Sequence, residues 1–221
     1  MNIDVVTTTE ATQRLNPWFS MWIKPRATIQ QVIETDPTRW ILLLVALDGI
    51  FQVLDRAVDK NFGDHMHWTS ILLIAAITGP ILGLIGLYLS GWLIGWTGRW
   101  IGGQGTHENI RAAIAWAKIP TIWVLALWGP MMLVFGQGLF VSPQYRAAEN
   151  MDLAYNIWGF AIIIFFAEIT SFILLCQALG QVQGFSGWKA FGNILLAGLI
   201  LIIPFIMIFV FIFLGIGMFA R

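Results

Sequence analysis

The sequence predicts an all-α polytopic membrane protein, a bundle of five transmembrane helices with an N-terminal interfacial amphipathic helix. Three observations predict it. Of 221 residues, 58% are hydrophobic and only 11% are charged, less than half the roughly 25% of an ordinary soluble domain, so polar side chains could not cover a globule of this size. The apolar residues fall in long blocks, such as 71–77, 162–166 and 194–213, and about 20 apolar residues in a helix cross the ~30 Å hydrocarbon core. Twelve Trp and 16 Phe, with many Trp at block ends, suit the aromatic belts at the membrane surfaces.

Net charge is zero, which gives no argument for a nucleic-acid partner; the lipid bilayer is the partner that composition demands. The single cysteine, Cys176, lies inside an apolar block, where it reads as a small packing residue. Residues 1–38 hold no apolar core of signal-peptide type and are expected to form a polar tail and the interfacial helix. Residues 39–221 are expected to form one membrane domain.

The chain from Asn16-Pro17-Trp18 to Lys24-Pro25 is rich in aromatics and ends in a cation. Pro25 suits a helix start, because its missing N–H is no loss there. Ile29, Val32 and Ile33 share one apolar face, and Pro37 ends the segment. The expectation is a helix lying on the membrane, anchored by Trp18, Trp22 and Lys24; a loop collapsed against the bundle is the alternative.

Five spans follow at about 39–59, 69–96, 110–136, 155–180 and 188–219. Pro80, Pro120 and Pro204 lie within them as candidate kinks, tolerated where neighbours satisfy the freed carbonyls. Orientation follows from Lys and Arg. With five crossings, one side carries Arg14, Lys24, Arg26, Arg39, Arg99, Arg111, Lys118 and Lys189, and the other Arg56, Lys60, Arg146 and Arg221. Eight against four places the N-terminus in the cytoplasm and the C-terminus outside. If the first span does not cross, the split is again eight against four with both termini inside, so charge alone leaves the number of crossings open. The first span is also the weakest: a central Asp costs roughly 2.5–3.5 kcal/mol on the insertion scale, and each Leu or Ile returns only about 0.3–0.6. It needs partners in the bundle.

Two stretches carry a family resemblance. One is Asn16-Pro17-Trp18 with Met21-Trp22-Ile23-Lys24-Pro25-Arg26-Ala27-Thr28-Ile29. The other is Gly102-Gly103-Gln104-Gly105-Thr106 with Arg111-Ala112-Ala113-Ile114-Ala115-Trp116-Ala117-Lys118-Ile119-Pro120. Together they resemble the Yip family, named for interaction with Ypt/Rab GTPases, in its compact bacterial form. The resemblance implies a cytoplasmic N-terminus, five crossings and residence in a bacterial inner membrane. The acidic–aromatic–Gly–Pro signature of the Rab-associated members is missing, so Rab binding does not carry over. The family brings no catalytic residue.

Asp48, Gln52, Asp55 and Asp59 recur at i, i+4, i+7 and i+11, on one face of the first span. Ionisable residues in a membrane face the bundle interior or water and are functional candidates. Counting ~1.5 Å per residue from Arg39 puts Asp48 about 13–14 Å deep, in a layer with Lys118 and with Glu168 of the fourth span. Lys118 is expected to pair with Asp48 or Glu168. Two readings stand: a polar clamp that fixes helix register, or a cation or proton site with one carboxylate held protonated.

Asp59, Asp64, His65 and His67 form a weak candidate set for a divalent metal ion such as zinc, nickel or copper. Gly79, Gly83, Gly86 and Ser90, with Gly91 and Gly95, make a small-residue stripe for close helix packing, either within the chain or at a homo-oligomer seam. No His-Glu-x-x-His helix, phosphate-binding Gly-x-x-x-x-Gly-Lys loop or Gly-x-Ser-x-Gly elbow occurs, so no enzyme is expected. The leading expectation is a scaffold or organiser of Yip type, in contact with other membrane proteins or its own copies. The rival is a small proton- or cation-coupled transporter or channel using the carboxylates.

Overall fold

A computed structural model describes residues 14–144 and 151–219, with side chains described for 14–144, 158–203, 206 and 207. The tail 1–13, Arg146 and Arg221 lie outside the described residues, as does the side chain of Pro204. The described residues form helices joined by turns and short 3-10 segments, with no strand among them.

Pro17 opens α1 (Pro17–Ile23), and the Asn16 side chain accepts from the Trp18 N–H at 3.2 Å. Pro25 opens α2 (Pro25–Thr35), which buries Thr28, Ile29 and Val32. The expected apolar face is therefore real, but its buried residues pack on protein. Asp36 closes α2; its carboxylate accepts from the Thr38 N–H and hydroxyl at 2.9 and 2.7 Å, and these bonds hold its pKa below the ordinary value. Trp40 turns the chain with a left-handed φ of 66°. From there α3 (Ile41–Asp59) runs to a short turn and α4 (Trp68–Trp100) returns.

The region expected as one span at 110–136 is two helices, α5 (His107–Ala117) and α6 (Ile119–Phe135). The physical reason is Pro120. It lacks the N–H that would continue the ladder and its ring crowds the preceding turn, so the chain breaks at Lys118 and restarts with Pro120 in the first turn of α6. Pro80, by contrast, is carried inside α4, and Pro130 inside α6. Two further long helices follow, α7 (Met151–Gln183) and α8 (Gly187–Phe219).

Among the described residues, Trp68–Trp100, Ile119–Leu139 and Trp158–Gln183 are long and apolar enough to cross a membrane, and Gly187–Ile203 is a shorter apolar helix. In the most apolar stretch of α4 and of α7, only 22% of residues are buried inside the protein. The remainder, including Leu73, Ile77, Ile81, Ile85, Phe165 and Phe166, is exposed. Such a surface is stable against lipid and not against water. Trp92, Trp96 and Trp100 form an exposed aromatic ladder at the end of α4, where a belt residue belongs.

The buried apolar residues divide into two clusters. One lies toward α1 and α2 and holds Met21, Ile29, Leu44, Trp116, Ile119 and Leu179. The other lies toward the α3–α4 turn and holds Phe51, Leu54, Ile71, Trp128, Phe140 and Phe160. Along α3 the first cluster reaches Val45 and the second begins at Phe51. Asp48 sits between them.

Candidate functional site, a polar layer between two apolar cores

The layer is assembled from three elements. α3 supplies Asp48, the break between α5 and α6 supplies Lys118 and Thr121, and α7 supplies Glu168. The Asp48 residue is 7% exposed. Its Oδ2 accepts from Gln52 Nε2 at 2.7 Å and its Oδ1 from the Thr121 hydroxyl at 3.2 Å. Lys118 Nζ stands 3.7 Å from Asp48 Oδ1 and 3.9 Å from Glu168 Oε2, so one ammonium links two carboxylates on different helices. A buried carboxylate left unpaired would be costly, and an opposite charge with two hydrogen-bond donors supplies what water no longer does.

The helix break positions Lys118. It is the C-terminal cap of α5, where a helix end favours positive charge. The Thr121 hydroxyl lies within reach of both the Lys118 carbonyl, at 2.8 Å, and Asp48. Proline at position 120 thus sets the register that brings Lys118 and Thr121 to the same carboxylate.

The other acidic residues of α3 do not join Asp48. Asp55 is half-buried and Asp59 exposed, and both line a cavity of about 290 Å³ whose far wall includes Glu168, Trp128 and Phe160. Asp48, Gln52 and Lys118 line a different cavity of about 200 Å³ beside Gly83, Gly86 and Ser90. The two cavities share no lining residue. Ser171, one turn from Glu168, is buried with an unpartnered hydroxyl.

The small-residue stripe serves successive neighbours within the chain. A Cβ on Gly79 would meet Ile50 N at 2.6 Å and Gly49 C at 2.8 Å, and one on Gly83 would meet Val45 O at 2.5 Å. Backbone therefore lies against backbone between α3 and α4. Gly91 and Gly95 instead admit Arg111 and His107 of α5, with a Cβ 2.9 and 3.0 Å from those side chains. Gly86 faces open space, and Ser90 donates to the Gly86 carbonyl of its own helix at 2.6 Å.

The loop expected to offer metal ligands engages its groups otherwise. Asp64 Oδ1 accepts from the Ser142 N–H at 2.9 Å, and His67 Nδ1 lies 2.9 Å from the Thr69 hydroxyl at the start of α4. Asp59, Asp64, His65 and His67 are not gathered, and no group of three His, Cys, Asp or Glu with metal-site geometry occurs among the described residues.

Of the three expected anchors, Trp22 and Lys24 are exposed, whereas Trp18 is half-buried, edge-on to Trp116 at 5.9 Å. Arg26 Nε donates to Gln177 Oε1 at 2.7 Å and Gln181 Nε2 to Gln30 Oε1 at 3.1 Å, which docks α2 on the end of α7.

A second buried polar group escaped the sequence reading. Thr97 and Asn193 are fully buried; the Thr97 hydroxyl lies 2.6 Å from Asn193 Oδ1, and Asn193 Nδ2 donates to the Ile94 carbonyl at 3.1 Å. Gln183, 2% exposed, lies against Gly98 and Gly103, and a Cβ on either glycine would collide with it. This group ties α4 to α8 and to the end of α7. The only sequence signal was the presence of Asn193 and Gln183 in otherwise apolar surroundings.

Comparison with known proteins adds one finding. A family model, described as the Yip1 domain, matches residues 19–219. No curated protein and no solved structure matches the chain.

Proposed function

Since the chain belongs to the Yip1 domain family, we propose that this integral membrane protein is a non-enzymatic scaffold with five crossings (α3, α4, α6, α7 and α8), its N-terminus cytoplasmic and its C-terminus outside, in a bacterial inner membrane. It organises its surroundings through lateral helix contacts and through the membrane-surface helices α1 and α2. The eight-to-four division of Lys and Arg supports the orientation, since α5 ends before the break and leaves the crossing to α6.

One observation carries the scaffold reading. Asp48 lies between two buried apolar clusters, and Lys118 and Glu168, both partly exposed, join it across three elements, which supports reading the layer as a register clamp. The carboxylates line two separate cavities that share no lining residue, which favours a clamp over a pathway. Exposed apolar groups at the proposed cytoplasmic rim, Phe19, Ile23 and Trp188 at 58%, 81% and 84%, are placed to meet the interface or another membrane protein.

The test is proton and monovalent-cation flux in proteoliposomes. Wild type and Asp48→Asn should both match protein-free vesicles. Flux above that background, lost in Asp48→Asn, would replace the clamp by a transport pathway.

A further inference from the structure

Two cavities adjoin at Asn16 and Trp18, at the start of α1. The first, about 290 Å³, is lined by Arg14, Trp18, Asp36, Arg39, Trp40 and Trp116 among others. The second, about 490 Å³, is lined by Phe19, Leu47, Ile122, Trp123 and Ala126. Asn16 and Trp18 belong to both. A water molecule's share of liquid is about 30 Å³, so each space admits a group of many atoms.

We propose that this pair of cavities is a binding site for one anionic phospholipid, with its phosphate headgroup between Arg14 and Arg39 and an acyl chain in the groove past Trp123. Four observations support the assignment. The two guanidinium groups at the first cavity outnumber its one carboxylate, Asp36, whose Oδ1 is already taken by Thr38. Guanidinium is the side chain best matched to a phosphodiester, by charge and by its planar fork of donors. Trp116 contributes a wall, is 2% exposed, and has an indole N–H with no hydrogen-bond partner. A buried donor in that state calls for an acceptor, and a lipid headgroup or ester oxygen in the adjoining space would supply one.

The fourth observation is polarity along the groove. The second cavity is walled by apolar and aromatic groups, and Leu47 lies eight residues beyond Arg39. Six of those steps, from Ile41 to Leu47, lie in α3, and at ~1.5 Å per residue they carry the groove about 9 Å along the helix axis, which follows the direction of an acyl chain from interface to hydrocarbon core. A soluble phosphate would use only the first space; a lipid without a phosphate would use only the second.

The experiment is native mass spectrometry of the detergent-purified full chain, titrated with palmitoyl-oleoyl phosphatidylglycerol, the matching phosphatidylcholine, or glycerol phosphate. Wild type should retain phosphatidylglycerol over phosphatidylcholine. Arg14→Gln/Arg39→Gln should lower phosphatidylglycerol retention by roughly tenfold or more, from the usual contribution of two cations near an anionic lipid, and should lower phosphatidylcholine, whose phosphodiester is offset by its own choline cation, by a smaller factor. Ala126→Phe, which fills the groove, should lower retention of both lipids. If the double variant does not fold, Arg14→Gln alone, at an exposed position, should still show a loss of roughly fivefold. Equal phosphatidylglycerol retention by wild type and the folded arginine variant would overturn the site. Displacement of phosphatidylglycerol by equimolar glycerol phosphate would overturn the lipid as its occupant.

Discussion

Gly83 and Gly86 sit three residues apart on α4, yet the same substitution should act on them with opposite sign. A Cβ built on Gly83 lies 2.5 Å from the Val45 carbonyl oxygen and 3.2 Å from Val45 Cγ1. The obstacle is backbone on a packed helix, which no rotamer change relieves. Restoring an ordinary contact near 3.4 Å requires α3 and α4 to part by about 0.9 Å, and a gap of 0.5–1 Å forfeits a quarter to a half of each dispersion contact. Overpacking costs about 1–3 kcal/mol, and immovable backbone argues for the upper end. Against this, alanine gains about 1 kcal/mol over glycine in a helix. Gly83→Ala should therefore lose about 2 kcal/mol.

Gly86 has nothing within 4 Å of its Cβ position, and Gly86→Ala should retain the helix gain of up to about 1 kcal/mol. Reversible unfolding in mixed micelles, followed by far-ultraviolet circular dichroism against the mole fraction of dodecyl sulfate, measures both. The two variants should differ by about 3 kcal/mol, the difference between these two values. Midpoints within about 0.5 kcal/mol of each other, the ordinary scatter of surface substitutions, would refute the close α3–α4 seam.

The clamp and the second polar group give two further predictions. Lys118→Met leaves Asp48 with Gln52 and Thr121 but no cation; breaking a buried pair costs up to 3–5 kcal/mol, and the partial exposure of Lys118 and Glu168 reduces this to about 2. Adding Asp48→Asn should recover at least half of that loss in the same unfolding assay, and strictly additive losses would show that the two do not interact. Thr97→Val removes a fully buried hydroxyl shared between Asn193 and the Leu93 carbonyl and should cost about 1–2 kcal/mol; Thr170→Val, exchanging a threonine bonded only within its own helix, should cost less than 0.5 on the scale of surface changes.

The long apolar blocks were legible because lipid requires continuous apolar surface, and α4, α7 and α8 extend through the expected spans with a few residues added at their ends. The meeting of Lys118 with the layer was also legible, through depth along a helix. Its cause was not. Pro120 reads equally well as a kink in one span or as the first turn of a new helix, and the distinction rests on whether neighbours hold the two pieces apart. Thr97 and Asn193 were illegible for a different reason. Ninety-six residues separate them, and a lone polar residue in an apolar block has no periodicity by which to find its partner. Arg26 counts in the sequence only toward the cations of one membrane side, because its partner Gln177 lies 151 positions away.

Taken alone, α3 should not be a membrane helix. Asp48 sets 2.5–3.5 kcal/mol against insertion, and the six Ile, Leu and Val residues from Ile41 to Leu47 return about 2–4, which at best cancels it. Asp55, Arg56 and Asp59 then turn the balance into a deficit. For the proposed crossing of α3, the structure offers two compensations. Gly79 and Gly83 let α3 lie directly against the backbone of α4, so the helix enters a protein groove and not bare lipid. The α5–α6 break presents Thr121 and Lys118 to Asp48, so its carboxylate exchanges water for fixed partners. Neither device exists until α4, α5 and α6 are in place. The acidic helix therefore depends on segments that follow it in the chain, and its burial is a property of the assembled bundle.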